Sequence, residues 1–235
     1  FSFFLNGFLE DWEKTNKSSK VYTIFAGGDD LMLIAPQSST VKLINEFNKK
    51  FQEFVCGNDE VHISYSVTHF KDHSPIRIVS DIAEENQNEG KKFTKKEQAL
   101  LLKEADEHSF HSEVDKAGTV LFSSFIRNSD LNLVNNLTEQ IAIWVKNNEV
   151  SHGLLRKLLE LSEMLKKYEE TNDAGFLIAY ARLTHSVNRI RRNKPEIDEF
   201  LGKVLKINTE NDIDAAKLKS ILNPLICQVI YKIRN

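Results

Sequence analysis

The sequence predicts an α+β domain followed by an all-helical one. Two apolar, strand-like runs, Val21–Ala26 and Leu31–Pro36, enclose the four residues Gly27-Gly28-Asp29-Asp30. Apolar residues at helical spacing stand on both sides of this pair. After about residue 130, glycine and strand formers thin out and helical periodicity takes over. We divide the chain into residues 1–129 and 130–235.

The first segment carries Phe1, Phe4, Leu5, Phe8 and Trp12 at helical spacing, and Lys17-Ser18-Ser19-Lys20 is a polar break after it. The runs at about 21–36 are rich in β-branched and aromatic residues, and glycine at their tip supplies the positive φ of a tight hairpin. Ser38-Ser39-Thr40 signals a helix start, and Leu43, Phe47, Phe51, Phe54 and Val55 mark one face of a helix ending near Gly57-Asn58. Val61–Val67 alternates as a strand. Ser74-Pro75 opens a helix holding Ile78, Val79, Ile82 and Ala83, and the polar stretch 84–96 reads as a frayed end or an exposed face. Gly118–Phe122 is a further short strand.

In the second segment Val134, Leu137, Ile141 and Trp144 form one stripe. Ser151 caps a helix with Leu154, Leu158, Leu161, Leu165 and Tyr168. A third helix has Tyr180, Leu183, Val187 and Ile190, Pro195 opens a fourth, and the last, from about Asp212, buries Leu218, Ile221, Leu225 and Val229, with a kink expected at Pro224. With one strand placed before Phe1, the first domain becomes a βαββαβ, ferredoxin-like arrangement with an added strand. That fold hosts many functions, so the site must argue the function.

The 235 residues carry a net charge of −3, so overall charge does not announce a nucleic-acid binder. Cys56 and Cys227 are far apart without metal-ligand spacing, which fits a reduced, cytoplasmic compartment and inert thiols. No apolar run is long enough to span a bilayer. The first residues lack an initiator methionine and the basic flank of a signal peptide, and read as part of an amphipathic helix within a larger protein.

A turn explains one aspartate of the loop but not two adjacent carboxylates beside an apolar hairpin. Desolvated like charges repel unless a cation or donors neutralise them. Hard divalent ions such as Mg²⁺ take carboxylate oxygens and are often shared with substrate phosphates. A solvated hairpin turn is the alternative reading.

Tyr22–Leu31 closely resembles the second palm of the large subunit of type III CRISPR effector complexes, the Csm type (III-A) more than the Cmr type. Phe3-Phe4-Leu5 is similar to the family's preceding helix. Ile63–Val67 is similar to its next strand, and Pro75-Ile76 with Ala83-Glu84 to its Pro-led helix. Gly90-Lys91-Lys92 stands where the family has an Ala-Lys pair. Lys116–Phe122 resembles the closing strand, and the helical remainder is similar to the C-terminal domain that follows this palm.

The resemblance implies a nucleotidyltransferase that joins ATP through 3′–5′ links into cyclic oligoadenylates, releasing pyrophosphate, when the complex binds target RNA. Asp29 and Asp30 would be catalytic and hold two Mg²⁺ or Mn²⁺ ions, with one further carboxylate expected upstream. Gly27, Gly28, Ser66, Lys91 and Lys92 would contact the nucleotide. Expected partners are ATP, crRNA and target RNA, a small helical subunit and other Csm-type subunits, with no membrane. The family's first palm and HD-type nuclease domain are not in this chain, so the fragment alone is expected to make no product. A diguanylate-cyclase-like palm is a competing reading, opposed by Asp30-Leu31 where Glu-Phe usually follows and by the appended helical domain. A non-catalytic scaffold for complex assembly is another.

Arg182, His185, Arg189 and Arg192 recur on one helix face, with Arg191 and Lys194 nearby. They read as a contact for RNA backbone or an acidic subunit, or as a solvated face. Tyr65 reads as core rather than a base contact. His62, His69 and His73, like His108 and His111, fit no zinc set and read as surface residues.

Overall fold

The computed structural model describes residues 2–17, 20–27, 30–58, 61–70, 73–105, 118–122, 124–171, 173–190, 194–206 and 213–234. The chain forms two compact units, Phe1–Asn135 and Asn136–Asn235.

In the first unit, α1 (Ser2–Thr15) and α2 (Gln37–Phe54) bury most of the stripes expected of them, although Phe54, expected on the buried face of α2, is exposed and Phe1 lies outside the described residues. Leu5, Phe8 and Trp12 meet Leu43, Phe47 and Phe51 in one cluster, with Val21, Leu31, Ala35, Ile63 and Tyr65 packed against it. Phe8 and Phe47 meet edge-on at 4.9 Å, a favoured aromatic geometry. The hydroxyls of Ser39 and Thr40 do not cap α2. Both donate back to the Pro36 carbonyl, at 2.9 and 3.1 Å.

Strand β1 (Tyr22–Gly27) pairs antiparallel with β2 (Asp30–Ile34), as the hairpin pattern predicts. A bulge between Thr23 and Phe25 leaves Ile24 as the extra residue. The next strand is shorter than its alternation suggests: β3 covers only Tyr65–Val67. Helix α3 (Ile76–Ala105) runs through the polar stretch 84–96 as continuous helix, not a frayed end, with Glu84, Glu85, Asn88, Glu89, Lys91 and Lys92 exposed along it. It crosses over to β4 (Gly118–Leu121), which pairs parallel with β3, as a helical crossover permits. A strand that the sequence reading missed, β5 (Ser124–Arg127), folds back on β4. The described strands thus form two sheets, β1-β2 and β3-β4-β5, and not one continuous antiparallel sheet. Asn128 ties the second sheet together: its Nδ2 donates to the Ile63 carbonyl at 2.9 Å, and its Oδ1 accepts from Thr119 at 3.0 Å.

Helix α4 (Leu131–Lys146) contains the division between the units. The second unit continues with α5 (His152–Thr171), α6 (Ala174–Ile190), α7 (Pro195–Val204) and α8 (Ile213–Arg234). Ser151 caps α5 as expected, its Oγ accepting from Leu154 N–H at 3.1 Å. Pro195 takes the first turn of α7, where its missing N–H is not needed. Helix α8 runs on through Pro224. Leu158, Leu161, Tyr180, Val187, Leu201, Leu222 and Leu225 are buried in this unit.

Candidate active site

The hairpin register decides which side chains share a face. Gly27 pairs with Asp30, Phe25 with Met32 and Tyr22 with Ile34. Directly paired residues project to the same side, so these six share one face. Ala26 with Leu31 and Thr23 with Leu33 project to the other, from which Leu31 packs on the α1–α2 cluster while Thr23 and Ala26 stay exposed. Asp30 is therefore carried on the side away from α1 and α2, and it is exposed. Gly28 and Asp29, the two residues between Gly27 and Asp30 in sequence, lie outside the described residues.

Strand β3 obeys the same division. Tyr65 turns toward α2, where its ring meets Phe47 edge-on at 6.2 Å and its hydroxyl donates to Asn48 Oδ1 at 3.5 Å. Burial pushes its phenol well above the usual range, so Tyr65 is a core residue. Ser66 projects oppositely. It pairs with Val120, whose Cγ2 faces Gly90 of α3, and Asn86 of α3 reaches Thr68. The Ser66 hydroxyl is buried and makes no hydrogen bond among the described residues. A buried hydroxyl without a partner costs free energy, which a ligand could recover.

Gly90 turns toward the sheet, and a Cβ there would lie 2.8 Å from Val120 Cγ2. Successive helical residues rotate by about 100°. Lys92 is therefore carried about 200° from the sheet-facing direction and Lys91 about 100°. Lys92 Nζ is held by Glu89 at 2.7 Å, with both side chains exposed. That pair raises the Lys92 pKa, mainly through the hydrogen bond to Glu89. Lys91 is exposed and makes no ion pair among the described residues. Of the two lysines, Lys91 is the freer to meet an anion.

No hydrogen bond or ion pair among the described residues links Asp30 to Ser66 or to either lysine. No described group of three or more His, Cys, Asp and Glu could hold a metal ion. Asp30 alone is a hard, exposed oxygen donor whose chemistry suits a divalent cation.

Sequence reasoning missed Tyr22 and Phe25. Strict alternation would put them on opposite faces, but the bulge at Ile24 brings both onto the face of Asp30. They are 69% and 54% exposed. Nothing in the alternation marks where a bulge falls. His69 also departs from expectation. It is half-buried, stacks on Phe122 at 4.2 Å, and has its pKa lowered by burial.

In the second unit, Arg182 and His185 are exposed on α6 and line an open groove with Ile178, Ala181 and Ser186. The Arg189 side chain and all of Arg192 lie outside the described residues, as do Arg191, His108 and His111. No described helix is long and apolar enough to cross a membrane.

Residues 1–100 match the family described as Cas10/Cmr2, second palm domain. A CRISPR system single-strand-specific deoxyribonuclease, Cas10/Csm1 (subtype III-A), of Methanocaldococcus jannaschii is 24% identical over 165 residues. The match covers 68% of this chain and 19% of that protein, so the chain spans about a fifth of this relative's length. No solved structure matches the chain. The loop Gly27–Asp30, the hairpin that carries it and helices α1 and α2 all fall in the matched segment, so over its first hundred residues the chain is similar to the Cas10/Cmr2 second palms.

Proposed function

We propose that this chain is part of a type III-A CRISPR large subunit whose palm polymerises ATP into cyclic oligoadenylates when its complex binds target RNA. The observation that carries the reading is the hairpin tip. Asp30 stands opposite Gly27 on the face that the core helices leave open, within the family-matched segment.

Phosphoryl transfer asks a protein for positioning and charge neutralisation more than for covalent help. Asp29 and Asp30 would hold Mg²⁺ or Mn²⁺, and such ions, when bound, stabilise the attacking 3′-oxygen and the leaving pyrophosphate. Gly27 and Gly28 let backbone N–H groups approach phosphate, since no Cβ intervenes. Lys91 supplies positive charge toward the triphosphate. Ser66 offers from β3 a hydroxyl that has no partner among the described residues. In the second unit, the Arg182–His185 face of α6 contacts RNA backbone or an acidic subunit surface, where arginine forks pair well. A reduced, cytoplasmic setting accompanies this assignment.

The test uses the full-length protein in its assembled complex with crRNA, target RNA and ATP. Asp29→Ala with Asp30→Ala should remove cyclic product by more than a hundredfold while assembly persists. Arg182→Glu should spare the palm but lower the salt dependence of RNA binding. Retained synthesis in the double alanine variant sinks the catalytic reading and leaves a scaffold. Product from GTP rather than ATP assigns a diguanylate-cyclase-like palm instead.

A further inference from the structure

The open face of the hairpin holds more than the carboxylate. Tyr22, Phe25 and Asp30 share it, and both aromatics are exposed, Phe25 near the charged tip and Tyr22 behind it toward the open end of the hairpin. The Phe25 ring does not stand upright from its strand. A Cβ built on Gly27 would lie 2.8 Å from its Cζ and 3.3 Å from its Cε2, so the ring leans over the Gly27 backbone toward the tip. Glycine at 27 thus gives the ring its place, besides any role toward phosphate. Asp30 faces Gly27 across the ladder, about 5 Å away by strand spacing. An aromatic plane and a carboxylate one strand apart match the two ends of a nucleotide: a flat base on one side, phosphate-bound cation on the other.

We propose that Phe25 is the stacking platform for the base of the substrate nucleotide, with Tyr22 extending the surface and Gly27 holding the ring in reach of the site. This rests on the nucleotidyltransferase reading of the same loop. Tyr65, the aromatic nearest Ser66 in sequence, cannot serve, because it is turned into the core. Stacking on an aromatic face tolerates any base, so the platform contributes affinity while selection of adenine lies with other groups.

Steady-state kinetics on the full-length complex with target RNA test this. Phe25→Leu should raise KM for ATP about tenfold, as loss of one stacked base predicts. Inhibition by inorganic pyrophosphate, which meets only the phosphate end, should stay unchanged. Phe25→Trp should restore KM. Gly27→Ala, which displaces the ring, should raise KM as Phe25→Leu does. An unchanged KM in Phe25→Leu overturns the platform. So does a parallel loss of pyrophosphate inhibition, or loss of complex assembly, either of which makes the face a structural or protein-docking surface. Asp30→Ala in the same assay separates the two claims. If it abolishes product while Phe25→Leu leaves KM alone, the nucleotidyltransferase reading survives and the platform does not.

Discussion

Single side chains on the second sheet show how context overrides residue type. His69 reads as a surface histidine because it fits no metal-ligand spacing, yet it stacks on Phe122, far along the chain. No spacing rule anticipates that pairing. Burial lowers its pKa below the ordinary 6.5, so the folded state prefers the neutral imidazole. The unfolded chain binds a proton first as pH falls, and stability rises with pH wherever it does. The His69 contribution is therefore fully present above about pH 6.5 and is lost as the pH falls toward the lowered folded value. Urea midpoints at about pH 7.5 and 5.5 should show this loss, and His69→Gln should flatten it. Tyr65 is the opposite case. Its core role was legible because it sits among apolar strand residues, and the structure puts it against Phe47.

Among elements, the helices were the most legible and the sheet irregularities the least. The stripes of α1, α2 and α5 came from apolar spacing alone, and the cap at Ser151 and the helix start at Pro195 from local backbone needs. Helix α3 was underestimated, because charged residues fit an exposed helical face as well as they fit a loop. Strand β5 and the bulge at Ile24 were invisible, since each depends on pairing rather than on pattern. The candidate site divides likewise: its acidic tip was plain in the sequence, while its aromatic face needed the bulge. The seat of α3 on β4 gives a test at this scale. Gly90→Ala forces a Cβ to 2.8 Å from Val120. Overpacking costs ~1–3 kcal/mol, against a helix-propensity gain of about 1 kcal/mol. Thermal melting should show a net loss of about 1 kcal/mol, relieved when Val120→Ala is added.

At the scale of the molecule, the composition shift near residue 130 and the division inside α4 both separate a mixed unit from a helical one. Periodicity carried the helical unit, since its contacts are helix on helix. The arrangement of strands was less legible, because partner choice and direction are long-range properties that no local pattern fixes. The two sheets also bear on how the protein behaves in a tube. Strands β2 and β3 each pair on one side only among the described residues, with β1 and β4 respectively. A strand edge with open N–H and C=O groups templates other chains, and exposed Tyr22, Ile24 and Phe25 sit beside one of them. The isolated 235 residues should accordingly self-associate as concentration rises. Light scattering at micromolar concentrations should detect it, with Phe25→Lys and Ile24→Lys suppressing it. The same hairpin that we propose as a nucleotide site is thus the part of the chain expected to limit its solubility.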